Sequence, residues 1–330
     1  MKAVIAPTYG GPETLEVRDV DTPTPEADEV LIRVHAASLN AADWHVLRAD
    51  PFFVRMSFGL RRPKIKGLGA DVAGVVEAVG EAVTEYRVGD EVLGELGACG
   101  FGACAEYVAA PTKYLTHKPA EITFAQAASL PMAGVTALQA LRDQAGVQPG
   151  ESVLIHGASG GVGSFAIQIA KTLGARVSAL GSAGKMAQMS ALGADEVIDY
   201  TTTDAFAGGR TWDVIIGVNG FRPLSTYRAA LNPGGRYLMI GGTGKQMFQG
   251  VVLGRLASRG GKSLGSVMAK VSPERLSAVA RMAQSGQLKT VIDRTFPLAE
   301  SADALRHLEE GHSHGKTIVS VVESDSSSTR

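Results

Sequence analysis

Residues 153–163 read VLIHGASGGVG: a short apolar run opens directly into a stretch where Gly157, Gly160, Gly161 and Gly163 crowd together. A buried-type strand that ends in a glycine turn and then starts a helix constrains the fold more than any other feature of the chain. Side chains must be small where a pyrophosphate touches backbone N–H groups, and a helix start adds unpaired donors and partial positive charge. On the Gly-x-Gly-x-x-Gly pattern, Ala158 stands for the first glycine while Gly160 and Gly163 match. Ser159, Gly160, Gly161, Val162 and Gly163 are therefore the expected phosphate cradle of a dinucleotide, with Gly163 letting the helix pack close to the strand. A glycine-rich connector with no ligand is the alternative.

The same rhythm repeats around this turn. Apolar runs at 153–155, 177–180, 197–198, 214–216 and 237–240 alternate with helical stretches such as 164–173 and 185–192. Such alternation builds βαβ units and a parallel sheet covered on both faces. Before residue 125 the texture is mainly β, with runs at 29–34, 71–79 and 91–93 broken by glycines and prolines. Residues 125–143 are rich in Ala and Leu and read as helix, interrupted at Pro131. Further on, the pattern predicts helices over 273–284 and 299–310 and strands over 294–296 and 317–322.

The second strand of the βαβ rhythm decides the cofactor. An NAD site carries an acid about 20 residues after the glycines, on the ribose 2′-hydroxyl. Here the strand ends Gly181-Ser182-Ala183-Gly184-Lys185, with no carboxylate. The hydroxyl of Ser182 and the ammonium of Lys185 suit a 2′-phosphate, so NADPH (NADP) is the expected cofactor; an ordinary solvated lysine at a helix start is the other reading. A hydrogen bond to a charged group contributes roughly 1.5–3 kcal/mol, enough for a tenfold preference.

Composition closes other routes. With 330 residues, 45% of them hydrophobic and 20% charged, the chain can sustain its core without metal or disulfides. The net charge of −1 gives no general pull toward nucleic acid or an acidic membrane. Cys99 and Cys104 are the only cysteines, so a reducing compartment is the default. No apolar run nears the roughly 20 residues of a membrane span, and the expectation is a cytoplasmic protein acting on a small molecule. The polar residues 323–330 read as a frayed end.

Several motifs, in order, resemble the medium-chain dehydrogenase/reductase superfamily, and specifically its zinc-free quinone oxidoreductase branch. They are Ser38-Leu-Asn40-Ala-Ala-Asp43, residues 69–80 (GADVAGVVEAVG), Gly102-Ala-Cys-Ala-Glu106-Tyr107 and residues 130–137 (LPMAGVTA). The glycine turn, residues 192–200 (LGADEVIDY), Pro233-Gly-Gly235 and Gly315-Lys316 complete the match. The resemblance implies an α/β protein with a GroES-like β domain over 1–125 and 290–330. A Rossmann domain with a doubly wound parallel sheet would be inserted over 126–289, with a cleft between the two. It implies that Tyr200 joins Ser182 and Lys185 around the 2′-phosphate, and that Gly241, Gly242, Thr243 and Lys316 also contact the cofactor. Asn40, Asp43 and Thr136 would lie toward the nicotinamide. Homodimers are common in the family.

Zinc enzymes of the superfamily hold their catalytic metal with Cys and His. Here Asn40 stands at the Cys position and Ala70 at the His position, and two cysteines cannot build the four-cysteine structural lobe. Without a Lewis acid, an acceptor that delocalises its charge is favoured over a simple alcohol. Hydride arriving at a quinone or an enone leaves a stabilised phenolate or enolate. Many relatives carry Tyr two residues after the Asp of Asn-x-x-Asp; this chain has His45. His45 is read either as a hydrogen-bond partner of the substrate oxygen, catalytic beside Asn40 and Asp43, or as a structural histidine.

Trp44, Phe52, Phe53 and Phe58 suit a flat apolar substrate or a packed core. The basic run at 61–66 attracts an anion or is a solvated loop. His156 reads as structural, and His312 and His314 as solvated. Residues 247–256 (MFQGVVLGRL) fit an interface, a lid or a buried helix. The expected activity is hydride transfer from NADPH to a quinone or α,β-unsaturated carbonyl. Zinc-type alcohol dehydrogenation and a non-enzymatic NADPH-binding protein are the rivals.

Overall fold

The computed structural model describes residues 1–52, 54–65, 67–219, 222–242, 258–311 and 313–322. The chain divides into two compact units. One gathers Met1–Met132, Val271–Gln284 and Ile292–Arg330; the other gathers Ala133–Lys270 and Ser285–Val291.

The first unit is built on β3 (Glu29–Leu39), whose residues are nearly all buried. Its apolar run needs layers packed over both faces, and its backbone needs strands along both edges. β4 (Asp71–Val79) pairs along almost the whole of β3. The other edge is shared: β6 (Tyr107–Pro111) pairs Glu29 to Arg33, and β15 (Lys316–Ser320) pairs Ala36 to Leu39. With β5 (Glu91–Glu95), β7 (Leu115–His117) and β14 (Ile292–Pro297) the order is β14-β15-β3-β4-β5-β7. Only β14 and β15 run parallel in this sheet; the other pairs are antiparallel. A separate ribbon pairs β1 (Lys2–Ile5) with β2 (Glu16–Asp19). Val30, Ile32, Leu47, Val72, Leu115 and Val319 belong to one core cluster.

The unit boundaries differ from the expected breaks at 125 and 290. Helix α3 (Phe124–Ser129) stays with the first unit because its buried Ala127, Ala128 and Ser129 face β3 and β4. The helix Pro273–Gln284 does so too, since Ser277 Oγ lies 3.0 Å from Thr116 Oγ1 beside β7. Apolar periodicity locates a helix but does not say which sheet it covers.

The second unit is a six-stranded, wholly parallel sheet ordered β10-β9-β8-β11-β12-β13. Its strands are β8 (Ser152–His156), β9 (Arg176–Gly181), β10 (Glu196–Asp199), β11 (Trp212–Val218), β12 (Leu231–Ile240) and β13 (Ser263–Ser266). This is the parallel sheet expected from the sequence rhythm, in the doubly wound form that the family resemblance implies. Its order reverses between β8 and β11, and ligands of such sheets sit beyond the carboxyl ends at that point. Helix α5 (Gly161–Thr172) follows β8 and buries Phe165, Ile167 and Ile169. A second cluster joins Trp212, Tyr227, Tyr237 and Leu264, and the rings of Tyr227 and Tyr237 stack at 4.1 Å. β13 escapes sequence reading because Leu264 is its single large apolar residue.

Candidate active site

The glycine turn joins β8 to α5. Gly157 takes φ +82°, and a Cβ there would stand 2.1 Å from the Val218 carbonyl oxygen at the end of β11. A Cβ on Gly163 would stand 2.2 Å from the Gly157 oxygen. The tight-turn glycine is therefore Gly157, one residue before the Ala158 that stands in the motif's first position. Sequence alignment to the pattern passes over it, although its position straight after the strand marks it. Gly160 is extended and precedes α5, and the first helical bond is Ser164 N–H to the Gly160 carbonyl at 2.9 Å. The N–H groups of Gly161, Val162 and Gly163 thus precede that bond, as a phosphate cradle requires. The cradle fits a dinucleotide pyrophosphate.

Beside it, β9 and β10 end together. The Gly157 and Ala158 N–H groups both donate to the Leu180 carbonyl, at 3.3 and 3.2 Å, and the Tyr200 N–H donates to the Gly181 carbonyl at 3.1 Å. Ser159, Ser182 and Tyr200 are thereby brought to one edge, with the Tyr200 ring 58% exposed. Lys185 sits one turn on, its N–H donating to Ser182 O at 2.9 Å. At Gly181 a Cβ would meet the buried Met189 side chain at 2.6 Å, so packing favours the glycine there. Gly241 and Gly242 follow β12 next to Asn219, whose N–H donates to the Ile240 carbonyl at 3.1 Å. Thr136 is buried in α4 (Pro131–Leu138), and Thr243 lies outside the described residues.

The first unit encloses a polar network around Asn40. Asp43 is buried at the third position of α1 (Ala41–Arg48), and its carboxylate accepts from the Asn40 N–H and the Gly69 N–H, both at 2.8 Å. The Asn40 side chain donates to Asp71 at 2.9 Å. The buried Lys316 ammonium donates to Asn40 Oδ1, to the Leu39 carbonyl at 3.3 Å and to Asp71 at 3.3 Å. Asp71 also accepts from the Met132 N–H at 2.9 Å. Lys316, expected against the cofactor, thus has its ammonium committed to this network, because an enclosed carboxylate demands a cation. Asn40 and Asp43, expected to be catalytic, have their polar atoms turned onto backbone and neighbours.

Glu95 completes the group, paired in register with Asp71 across β4 and β5 and accepting from the Gly97 N–H at 2.7 Å. Burial pushes Asp43 up to about 7 against the two backbone donors. Burial and the negative Asp71 push Glu95 up to about 8. Burial also drives Asp71 up and Lys316 down, while their ion pair opposes both. Sequence reading missed Glu95, since nothing in GDEVLGELG marks one acid as enclosed.

His45 is half-buried on α1 and stacks on Trp44 with centroids 3.7 Å apart. Its Nδ1 lies 2.6 Å from the Asp50 carbonyl oxygen. A carbonyl only accepts, so Nδ1 carries the hydrogen and the neutral ring presents a lone pair at Nε2. Burial holds its pKa below the ordinary histidine value. It therefore accepts a hydrogen bond, and it donates to a substrate oxygen only after taking up a proton. Phe58 packs edge-on to Phe101 at 5.9 Å, while Phe52 stands exposed. Phe53, Lys66, His312 and residues 247–256 and 323–330 lie outside the described residues. His156 accepts or donates at 3.0 Å to Tyr227, and burial lowers its pKa to about 4, the behaviour of a structural ring.

The donor set at the superfamily's metal position does not suit zinc. Asn40 offers an amide already bonded, Ala70 a methyl group, and the nearest charged neighbour is the Lys316 ammonium. Among the described residues no group of three or more His, Cys, Asp or Glu is placed to hold a metal ion.

Comparison with known proteins agrees with this architecture. Residues 26–120 match the family model "Alcohol dehydrogenase GroES-like domain", and residues 192–319 match "Zinc-binding dehydrogenase". The chain is 35% identical over 321 residues to the chloroplast envelope quinone oxidoreductase homolog of Arabidopsis thaliana, covering 94% of this chain and 95% of that one. It is 34% identical to the NADPH-dependent alkenal/one oxidoreductase of the same plant, covering 97% of this chain and 79% of that one. The quinone oxidoreductase of Coxiella burnetii superposes with a TM-score of 0.86 at 33% identity, covering 98% and 99% of the two chains. The Escherichia coli quinone oxidoreductase complexed with NADPH does so with 0.83 at 25%, covering 97% and 100%. A GroES-like unit and a Rossmann unit in one chain define the medium-chain dehydrogenase/reductases. The chain belongs to that superfamily, in its quinone oxidoreductase branch.

Proposed function

We propose that the protein is an NADPH-dependent, zinc-independent oxidoreductase whose acceptor is a quinone or an α,β-unsaturated carbonyl. The observation that carries this reading is the cradle after β8, flanked by Ser182, Lys185 and Tyr200 where an NAD site would place a carboxylate. Bound there, NADPH supplies a hydride, and the acceptor's own delocalisation stabilises the charge that arrives. Gly161, Val162 and Gly163 hold the pyrophosphate through their N–H groups. Lys185 and Ser182 hold the 2′-phosphate, with Tyr200 packing beside it. Asn40, Asp43, Asp71 and Lys316 act as positioning residues, fixing the junction of β3 and α1 from which His45 projects. The half-buried His45 accepts a hydrogen bond from a substrate or product hydroxyl, or from a water that relays the proton. A homodimer and a cytoplasmic setting belong to the same reading; among the described residues the sheet order ends on β13, an edge that a second copy could extend.

The test is stopped-flow oxidation of NADPH against a panel of quinones, enones and aldehydes, with NADH in parallel. Fast NADPH consumption with quinones or enones is expected. Equal rates with NADH would remove the 2′-phosphate assignment, and turnover of simple alcohols with bound zinc would overturn the whole reading.

A further inference from the structure

Between Asp50 and Asp71 the chain carries Arg55, Arg61, Arg62, Lys64 and Lys66 and no acid, within a protein whose net charge is −1. The same segment holds Phe52, Met56 and Leu60, exposed by 72%, 78% and 68%. Met56 points away from the side of α2 (Val54–Phe58) on which Val54 and Phe58 pack inward against the cluster of Val46, Ala70 and Phe101; Phe52 precedes the helix and Leu60 follows it past Gly59. Among the described residues, Val54 and Phe58 are covered by protein, whereas Phe52, Met56 and Leu60 are not.

The segment is held in place. The Arg55 guanidinium lies 4.6 Å from the Tyr9 ring centroid and 5.6 Å from that of Phe52, and donates to the Leu60 carbonyl at 3.2 Å. Arg61, Arg62 and Lys64 stand exposed just beyond, with no ion pair to any described residue.

We propose that this face docks on an anionic lipid surface, with Phe52, Met56 and Leu60 entering the interfacial layer and Arg61, Arg62 and Lys64 meeting the headgroups. Apolar insertion and basic charge are individually weak and bind usefully together. Side chains exposed by two-thirds or more protrude, and a fluid headgroup layer accepts protrusions without a matching recess, which a protein partner would have to supply. The uniform charge sign selects an anionic surface over a neutral one. Each cation near such a surface multiplies partitioning by about five, so three give a preference on the order of a hundredfold. No helix among the described residues is long and apolar enough to cross a membrane, so the contact is peripheral. The proposal does not depend on the reading of the acceptor.

The experiment is co-sedimentation of the full chain with phosphatidylcholine vesicles, with and without phosphatidylglycerol, at low and high salt. Binding to the anionic vesicles alone, lost at high salt, is expected. Phe52→Ser with Met56→Ser and Leu60→Ser, and separately Arg61→Glu with Arg62→Glu and Lys64→Glu, should each weaken it tenfold or more while the circular dichroism spectrum and melting midpoint hold. Equal binding to neutral vesicles, no binding to either, or unchanged binding by both variants would overturn the proposal. So would failure to bind vesicles together with an oligomer that the serine variant dissolves, which would assign the face to a second copy.

Discussion

At the scale of single residues, the cradle rests on what is missing from Gly157 and Gly163. Gly157→Ala places a methyl group 2.1 Å from the Val218 carbonyl at φ +82°, so either β11 shifts or the turn opens. A loss of about 2–3 kcal/mol in unfolding free energy is expected by denaturant titration, with weaker NADPH binding alongside. Lys185 is tested differently. Lys185→Ala should raise the Michaelis constant for NADPH about tenfold while leaving that for NADH within twofold, the outcome for a group that meets only the 2′-phosphate. Equal effects on both cofactors would mark Lys185 as structural. These residues were legible because close backbone approach leaves a mark in composition. Gly157 shows the limit: motif positions are counted along a string, whereas the need for glycine is set by the neighbouring strand.

At the scale of elements, the Asn40-x-x-Asp43 motif fastens a strand to a helix. Asp43 reaches back to the Asn40 N–H as an acid at the third helical position does in a capping box, and its other oxygen pins Gly69. Lys316 then ties β15 to the start of α1 through Asn40 and Asp71. Lys316→Met would strand a buried carboxylate and cost about 3–5 kcal/mol, read as a lower denaturation midpoint. Pairing it with Asp71→Leu should restore at least half, because both charges then leave together. The parallel strands were readable as continuous apolar runs. The short β7 and β13 were not, since edge positions demand little apolar pattern, and the three buried apolar residues of β6 are too few to show a period; the motif residues could be found without their partners, which lie up to 276 residues away in sequence.

At the scale of the molecule, the first unit encloses Asp43, Asp71 and Glu95 against the ammonium of Lys316. Asp43 and Glu95 have folded-state pKa values raised to about 7 and about 8. A raised carboxyl pKa means that the folded state binds more protons than the unfolded one, so stability is greatest below the unfolded values and falls as pH rises through the folded values. Unfolding free energy should therefore decline from about pH 5 to about pH 9, by on the order of 2 kcal/mol or more. Glu95→Gln should flatten that decline; a parent protein as stable at the upper pH as at the lower would contradict it. None of this was visible in a net charge of −1, which averages enclosed acids with an exposed basic segment.

The pairing of β15 with β3 also bears on how the chain is made. β3 is complete by residue 39, but its neighbour over Ala36 to Leu39 is supplied by residues 316–320. On the ribosome, therefore, a nascent chain must carry an open strand edge while residues 40–315 are made, and the second unit, contiguous over most of its length, can close first. An exposed edge is an invitation to pair with other chains. A translational pause between residues 39 and 316 prolongs that exposure, whereas the same pause before β3 does not, so the yield of soluble protein should depend on where in the transcript rare codons fall.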